Sequence, residues 1–157
     1  MRVDWPQELS GGVATEAHCA VLAESFARLL GRPLIDGNPK PSAAQLWTAE
    51  CGLLSHSVEA DPLFNYANKL ALELFERDFD SMNGLPSRLS SEAPVDHERI
   101  RLLDEVARRG FIENYCGVRI SSKGRRFEIR GATVWNLIDE AGIYRGQAAK
   151  ITQWRYL

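Results

Sequence analysis

Three long runs with strand chemistry close this chain and limit what it can fold into. FIENYCGVRIS covers residues 111–121, RRFEIRGATVWNLI covers 125–138 and IYRGQAAKITQW covers 143–154; the turns SKGR and DEAG separate them. Consecutive runs divided by short Gly-containing turns predict an antiparallel meander. The middle run is apolar on both parities, with Phe127, Ile129, Trp135 and Leu137 on one and Val134 and Ile138 on the other. A strand with two apolar faces needs cover on both. Trp135 and Asn136 point to opposite faces unless a bulge intervenes, so one of the two faces any interior pocket. Gly131-Ala132, just upstream, is where such a bulge fits.

The helices that supply the cover are legible too. Residues 16–30 carry Leu22, Phe26, Leu29 and Leu30 at helical spacing, and Gly31 stops the pattern. This N-terminal helix is the spare amphipathic element. It either covers the second sheet face within one chain or pairs with its copy in a dimer. A Gly/Pro-rich connector spans 31–42, a short helix lies within 43–50 and a strand runs from Cys51 to Ser57. After the turn VEADP, Leu63 to Tyr66 form the second strand of a hairpin. Ala67, Leu70, Ala71, Leu74 and Phe75 then make one helical stripe, with Asn68 at the helix start and the end near Asp78. Residues 76–94 are turn-rich, with short helical pieces. Asp96 caps a helix to Arg109, with Ile100, Leu103 and Ala107 on one face, Val106 beside them, Glu98 in the first turn and Gly110 as terminator.

Composition excludes several functions. The 157 residues fit one domain, read as an arm over 1–16 and a domain over 17–157; 45% hydrophobic and 25% charged residues are ordinary for a globular chain. A net charge of −2 and a pI near 5.9 give no footprint for nucleic acid, and acids surround Arg108-Arg109 and Arg125-Arg126. No apolar run approaches the roughly 20 residues of a membrane span. The N-terminus has no signal-peptide core, so the expected location is cytoplasmic. Cys19, Cys51 and Cys116 match no zinc spacing and no disulfide framework, and read as buried free thiols. His18, His56 and His97 sit in no HExxH pattern, and no G-x-S-x-G elbow, Walker loop or G-x-G-x-x-G occurs. The carboxylate pairs Asp78/Asp80 and Asp139/Glu140 fall in turns. No catalytic residue and no metal ligand is assigned, and the chain reads as a non-enzyme.

The order of elements is a helix, two strands, helices, a longer helix and three antiparallel strands. It resembles the PAS fold, an α+β architecture with a five-stranded antiparallel sheet, helices packed on it and here an added N-terminal helix. PLFNYANKLALELFE, LPSRLS, GVRISSKGRRF, ATVWNL and the closing Gln-Trp resemble the MEKHLA domain family over about residues 17–157. That family is PAS-like and occurs as small stand-alone bacterial proteins and at the C-terminus of plant class III homeodomain–leucine zipper regulators. The resemblance implies a sensory or regulatory, ligand-binding and signalling domain. A pure interaction module with a filled core is the alternative.

No cofactor is firmly implied. The photoactive flavin class of PAS domains carries a cysteine where this chain has LPSRLSSE, and the haem class uses a pocket-facing histidine from the helix on which His97 occupies the first turn. A pocket between sheet and central helices would hold an unknown small molecule. Its expected lining is Tyr66, Leu70, Tyr115 and Trp135, with polar groups from Asn136, Gln147, His56 and Arg88, and Arg119 beside them. The chain ends three residues after Trp154 with no effector module, so signalling is expected through a homodimer at the N-terminal helix or outer sheet face, or through an unknown regulatory partner.

Overall fold

The computed structural model describes residues 16–91 and 97–157, without the side chains of 97–101 and 103. The expected arm, the Asp96 cap and the side-chain placements of His97, Glu98, Ile100 and Leu103 lie outside the described residues. The elements follow in order. Helix α1 is Glu16–Leu30, α2 is Ala43–Trp47, and β1 (Gly52–His56) and β2 (Phe64–Ala67) form the first hairpin. Then come α3 (Lys69–Phe75), α4 (Phe79–Met82), a 3-10 turn at Ser87–Ser90 and α5 (His97–Arg109). Strands β3 (Phe111–Ile120), β4 (Arg126–Ile138), β5 (Tyr144–Ile151) and β6 (Gln153–Tyr156) complete the chain. The sheet order is β2-β1-β5-β4-β3, with β6 paired to β4 and every pairing antiparallel.

The junction at residues 66–69, where a strand becomes a helix with almost no linker, rests on one amide. Asn68 is fully buried. Its Oδ1 accepts from Ala71 N at 3.1 Å, capping α3, and from Leu53 N at 2.9 Å; its Nδ2 donates to Leu46 O at 3.0 Å and Cys51 O at 2.8 Å. Four hydrogen bonds saturate the side chain and join α2, β1 and α3. The helix is shorter than its apolar stripe suggests. Ala67 belongs to β2, and α3 ends at Phe75 rather than near Asp78 because Glu76 turns left-handed at φ 52°. The turn between β3 and β4 holds it there, through Ser122 N to Phe75 O at 3.0 Å and Ser121 Oγ to Glu76 Oε2 at 2.6 Å.

The last strand, expected as one run over 143–154, is two. Residue Thr152 breaks it, and β6 pairs only with the first half of β4. Opposite that break Gly131 adopts φ 62°. Across β3, the pairing moves from Ile112↔Val134 to Tyr115↔Ala132 to Gly117↔Ile129. Strand β3 therefore carries one extra residue near Asn114, also left-handed at φ 61°, and β4 carries one at Gly131. These bulges reverse the side-chain parity of β4 halfway along. Phe127 and Ile129 face α3; beyond Gly131 it is Ala132, Val134 and Asn136 that face that side. Trp135 and Leu137 turn to the other face, where they are fully buried.

Helix α1 covers this second face within the same chain. Trp135 Nε1 donates to Leu22 O at 3.2 Å, and its ring meets Phe26 edge-on with centroids 5.0 Å apart. Ser25 Oγ donates to Ile138 O at 3.0 Å and accepts from Ile138 N at 2.9 Å, while Arg28 adds a 2.6 Å bond to the same carbonyl. Leu22 and Phe26 are fully buried, each worth roughly 2 kcal/mol against exposure. Among the described side chains of α5, Leu102 and Val106 are buried, whereas Ala107, expected on the buried face, is exposed.

Candidate functional site

The inner face of the sheet and the helices above it enclose a cavity of about 100 Å³. Its floor comes from four strands: Leu54, Ser55 and His56 of β1, Gln147, Ala148, Ala149 and Ile151 of β5, Ile129, Ala132 and Val134 of β4, and Tyr115 and Arg119 of β3. Phe64 of β2 lines one side, and Phe75 of α3, Ser87 and Ser90 of the 3-10 turn and Leu102 of α5 close it from above. The walls are mostly apolar, with a few converging polar groups, the usual make-up of a small-molecule site. Among the described residues the lining contains no carboxylate.

One strand face organises the polar end. Tyr115, Gly117 and Arg119 project to the same side of β3. A side chain at Gly117 would place its Cβ 2.5 Å from the Tyr115 hydroxyl. The missing side chain therefore lets the phenol lie along the strand, where its hydroxyl accepts from Arg119 Nη2 at 3.0 Å. Arg119 Nη1 donates to Ser91 Oγ at 3.2 Å, and a backbone bridge between Ser91 and Arg119 ties the segment after the 3-10 turn to β3. At the far end, His56 Nδ1 lies 3.1 Å from Ser57 O. Gln147 Nε2 donates to Asn136 Oδ1 at 3.2 Å; Asn136 Nδ2 donates to Val106 O at 3.2 Å and its backbone N–H to Gly110 O at 2.8 Å. This amide ladder holds the C-terminal end of α5 over the sheet.

The residues singled out in the sequence divide accordingly. Tyr115, Gln147 and His56 line the cavity, as does Arg119. Asn136 faces that side but stands behind Gln147 as its support. Trp135 and Tyr66 do not line it: the bulge turns Trp135 toward α1, and Tyr66, cross-strand partner of Ser55, points to the same outer face. There its ring lies 6.0 Å from that of His18. Leu70 packs on β1 at Gly52 instead, where a Cβ would meet its Cδ2 at 3.4 Å, and Phe75 is the α3 residue that reaches the cavity. Arg88 lies outside and pairs with Asp61 at 3.2 Å, fastening the loop between β1 and β2. Gly117 was missed, although the spacing Tyr-x-Gly-x-Arg on one strand face was available to signal it.

The outer face holds the remaining unusual groups. His18 Nε2 lies 3.1 Å from Ser55 Oγ, which in turn donates to Asn65 Oδ1 at 2.5 Å. Burial pulls the His18 imidazole down to about 4. Burial, with the Glu16 carboxylate nearby, pushes the Cys19 thiol up to about 12. Burial also raises the Cys51 thiol and the Tyr66 phenol. Such thiols stay protonated and are poor nucleophiles. Cys19 and Cys51 are buried as expected, whereas Cys116 is exposed, and none of the three lines the cavity. Among the described residues no group of His, Cys, Asp and Glu is arranged to hold a metal ion, and no helix is long and apolar enough to cross a membrane.

Sheet order, helix placement and a cavity between them define a PAS-like domain. Solved structures agree on the fold. The PAS domain of a protein from Colwellia psychrerythraea superposes with a TM-score of 0.58 at 14% identity, covering 73% of this chain and 92% of that one. The light-state dimer of the fungal blue-light photoreceptor Vivid gives 0.56 at 18% identity, covering 81% and 90%. A light-oxygen-voltage domain studied with a flavin analogue gives 0.56 at 15% identity, covering 73% and 83%. The family model for the MEKHLA domain matches residues 16–156, and the chain belongs to the MEKHLA domain family. Among curated relatives, the homeobox-leucine zipper protein ATHB-9 of Arabidopsis thaliana is 25% identical over 118 residues, 72% of this chain and 14% of its own length. HOX10 of Oryza sativa subsp. japonica is 22% identical over 139 residues, 87% of this chain. The chain thus spans only 14% and 17% of the length of these two relatives.

A cavity of about 100 Å³ is well below the roughly 300 Å³ at which drug-sized sites begin. A flavin does not fit the interior as it stands.

Proposed function

We propose that this chain is a sensory or regulatory PAS-like domain of the MEKHLA family, non-enzymatic and cytoplasmic, which binds a small molecule in its inner cavity. Occupancy is signalled through dimerisation or a partner protein. The cavity itself carries this reading: apolar walls, one guanidinium, one phenol and one imidazole converge on space that no described side chain fills. The family supports the regulatory part, since relatives that match this domain are homeobox-leucine zipper proteins. The structural likeness to a photoreceptor captured as a dimer supports association as the output.

The coupling would run through elements that touch the cavity and the surface at once. Ligand contacts at Gln147 bear on the amide ladder under α5, and those at Tyr115 and Arg119 bear on the bulged edge strand. A ligand that prefers one arrangement of these elements shifts their population and changes the surface a partner meets. The small volume gives the second reading its weight: an interaction module whose interior is nearly filled by its own side chains.

Native mass spectrometry of the protein as purified, with no cofactor added, separates the two. Extra mass that vanishes on denaturation, together with the oligomeric state, supports the sensor. Bare chain mass, unaltered by small-molecule libraries, leaves the interaction module.

A further inference from the structure

The polar end of the cavity is cationic, and among the described residues no carboxylate balances its charge. Arg119 is half-buried, and its guanidinium donates to two neutral oxygens, the Tyr115 hydroxyl and Ser91 Oγ. No described carboxylate pairs with it, and none lines the cavity. Among the described acids, Glu128 is engaged with Arg130 and Arg155, and Glu76 with Ser121. Drawing a cation out of water is costly unless an anion or hydrogen bonds repay it. A guanidinium fork is also matched in shape to a carboxylate, which accepts two parallel hydrogen bonds from it.

The rest of the cavity sets the other half of the ligand. Leu54, Ile129, Val134 and Ile151 offer only hydrocarbon. A strongly hydrated inorganic anion would gain nothing there, whereas an alkyl tail would. The volume of about 100 Å³ limits the tail, because an apolar cavity of roughly 150 Å³ holds a ligand the size of benzene. Resting on the reading of the cavity as a small-molecule site, we propose that it binds a short-chain aliphatic carboxylate of the size of butyrate. The carboxylate lies on Arg119 and the Tyr115 hydroxyl, and the tail points toward Val134 and Ile151.

Gly117 is the positioning residue of this site. It gives Tyr115 the room to lie against β3 with its hydroxyl at the guanidinium, so that phenol and guanidinium present donors together.

The test is an NMR titration of the 15N-labelled protein with three probes of similar size: butyrate, butyramide and butan-1-ol. A ligand of about six heavy atoms at roughly 0.4 kcal/mol per atom binds in the ~20 mM range, which such titrations read. Butyrate is expected to shift amides of Tyr115, Arg119, Ala132 and Val134 and to bind at least ~10-fold tighter than butyramide, the margin expected for a charge-assisted hydrogen bond. Arg119→Gln should erase that preference while leaving the weak binding of the neutral probes. Val134→Phe should fill the space and abolish all three. Butyramide binding as tightly as butyrate in the wild-type protein overturns the carboxylate and leaves the cavity site standing. Shifts confined to other surfaces, or none from any probe, overturn the cavity site as well.

Discussion

Asn68 shows how much one side chain decides. It caps a helix, pairs with a strand and ties in a second helix, and all four of its hydrogen-bonding positions are used. Replacing it strands donors and acceptors that water cannot reach. We expect Asn68→Ala to lower stability by about 3 kcal/mol in urea unfolding. Asn68→Asp should cost a similar amount, since a carboxylate cannot donate to Leu46 O and Cys51 O. A loss limited to that of an exposed cap, about 1 kcal/mol, would mean the buried network contributes little. The capping role was legible from a polar residue placed just before a helical stripe. The bonds to Leu46 and Cys51 were not, because they join segments 22 and 17 residues away.

Among the elements, β4 is the one that carries information for both layers. Its period-2 pattern reads as a single amphipathic parity only if the strand is regular, and it is not. Gly131 at φ 62° shifts the parity, so Ile129 and Val134, separated by an odd number, line one cavity while Trp135 turns away. The sequence marked the bulge by its glycine but left open which of Trp135 and Asn136 faced inward. Register against β3 and β5 settles that. A Cβ at Gly131 would meet nothing within 4 Å, so a substitution there tests the backbone alone. Gly131→Val should cost about 2 kcal/mol, and Gly131→Asn less than about 1, because Asn tolerates left-handed backbone and a β-branched residue does not. Equal losses in parallel denaturation curves would count against the bulge as the source of the parity switch.

At the scale of the whole molecule the protein is a sheet with two covers of different kinds. Helices α3 to α5 enclose a cavity on one face, and α1 packs tightly on the other with a half-buried imidazole. His18 has an ordinary value of 6.5, held at about 4 in the folded protein by burial. Its folded value is depressed, so the unfolded chain takes up the proton first as pH falls. The contribution of His18 to stability is therefore complete above 6.5 and is lost as pH drops from there to about 4. The loss from this one group reaches at most about 3.5 kcal/mol, at roughly 1.4 kcal/mol per pH unit. Denaturant unfolding at several pH values should show a steeper decline for the wild-type protein than for His18→Gln, which keeps a polar partner for Ser55. Superimposable slopes would remove His18 as the cause.

Local chemistry determined the elements. Apolar spacing set α1 and the stripe of α3, a serine and a glutamine three residues apart capped α2, and glycine-bearing turns divided the meander. These patterns need only neighbours in the chain, so the PAS-like order of helices and strands was readable from the residues themselves. What the tertiary structure decided lies in contacts between distant segments. It directed α1 onto its own sheet, turned Tyr66 and Trp135 outward, and removed Arg88 to a surface ion pair with Asp61. It also brought His56, Tyr115, Arg119 and Gln147 around one small space. The physical reason is register. A one-residue bulge exchanges the faces of everything beyond it, and such a bulge is held by pairing partners that the local sequence does not specify.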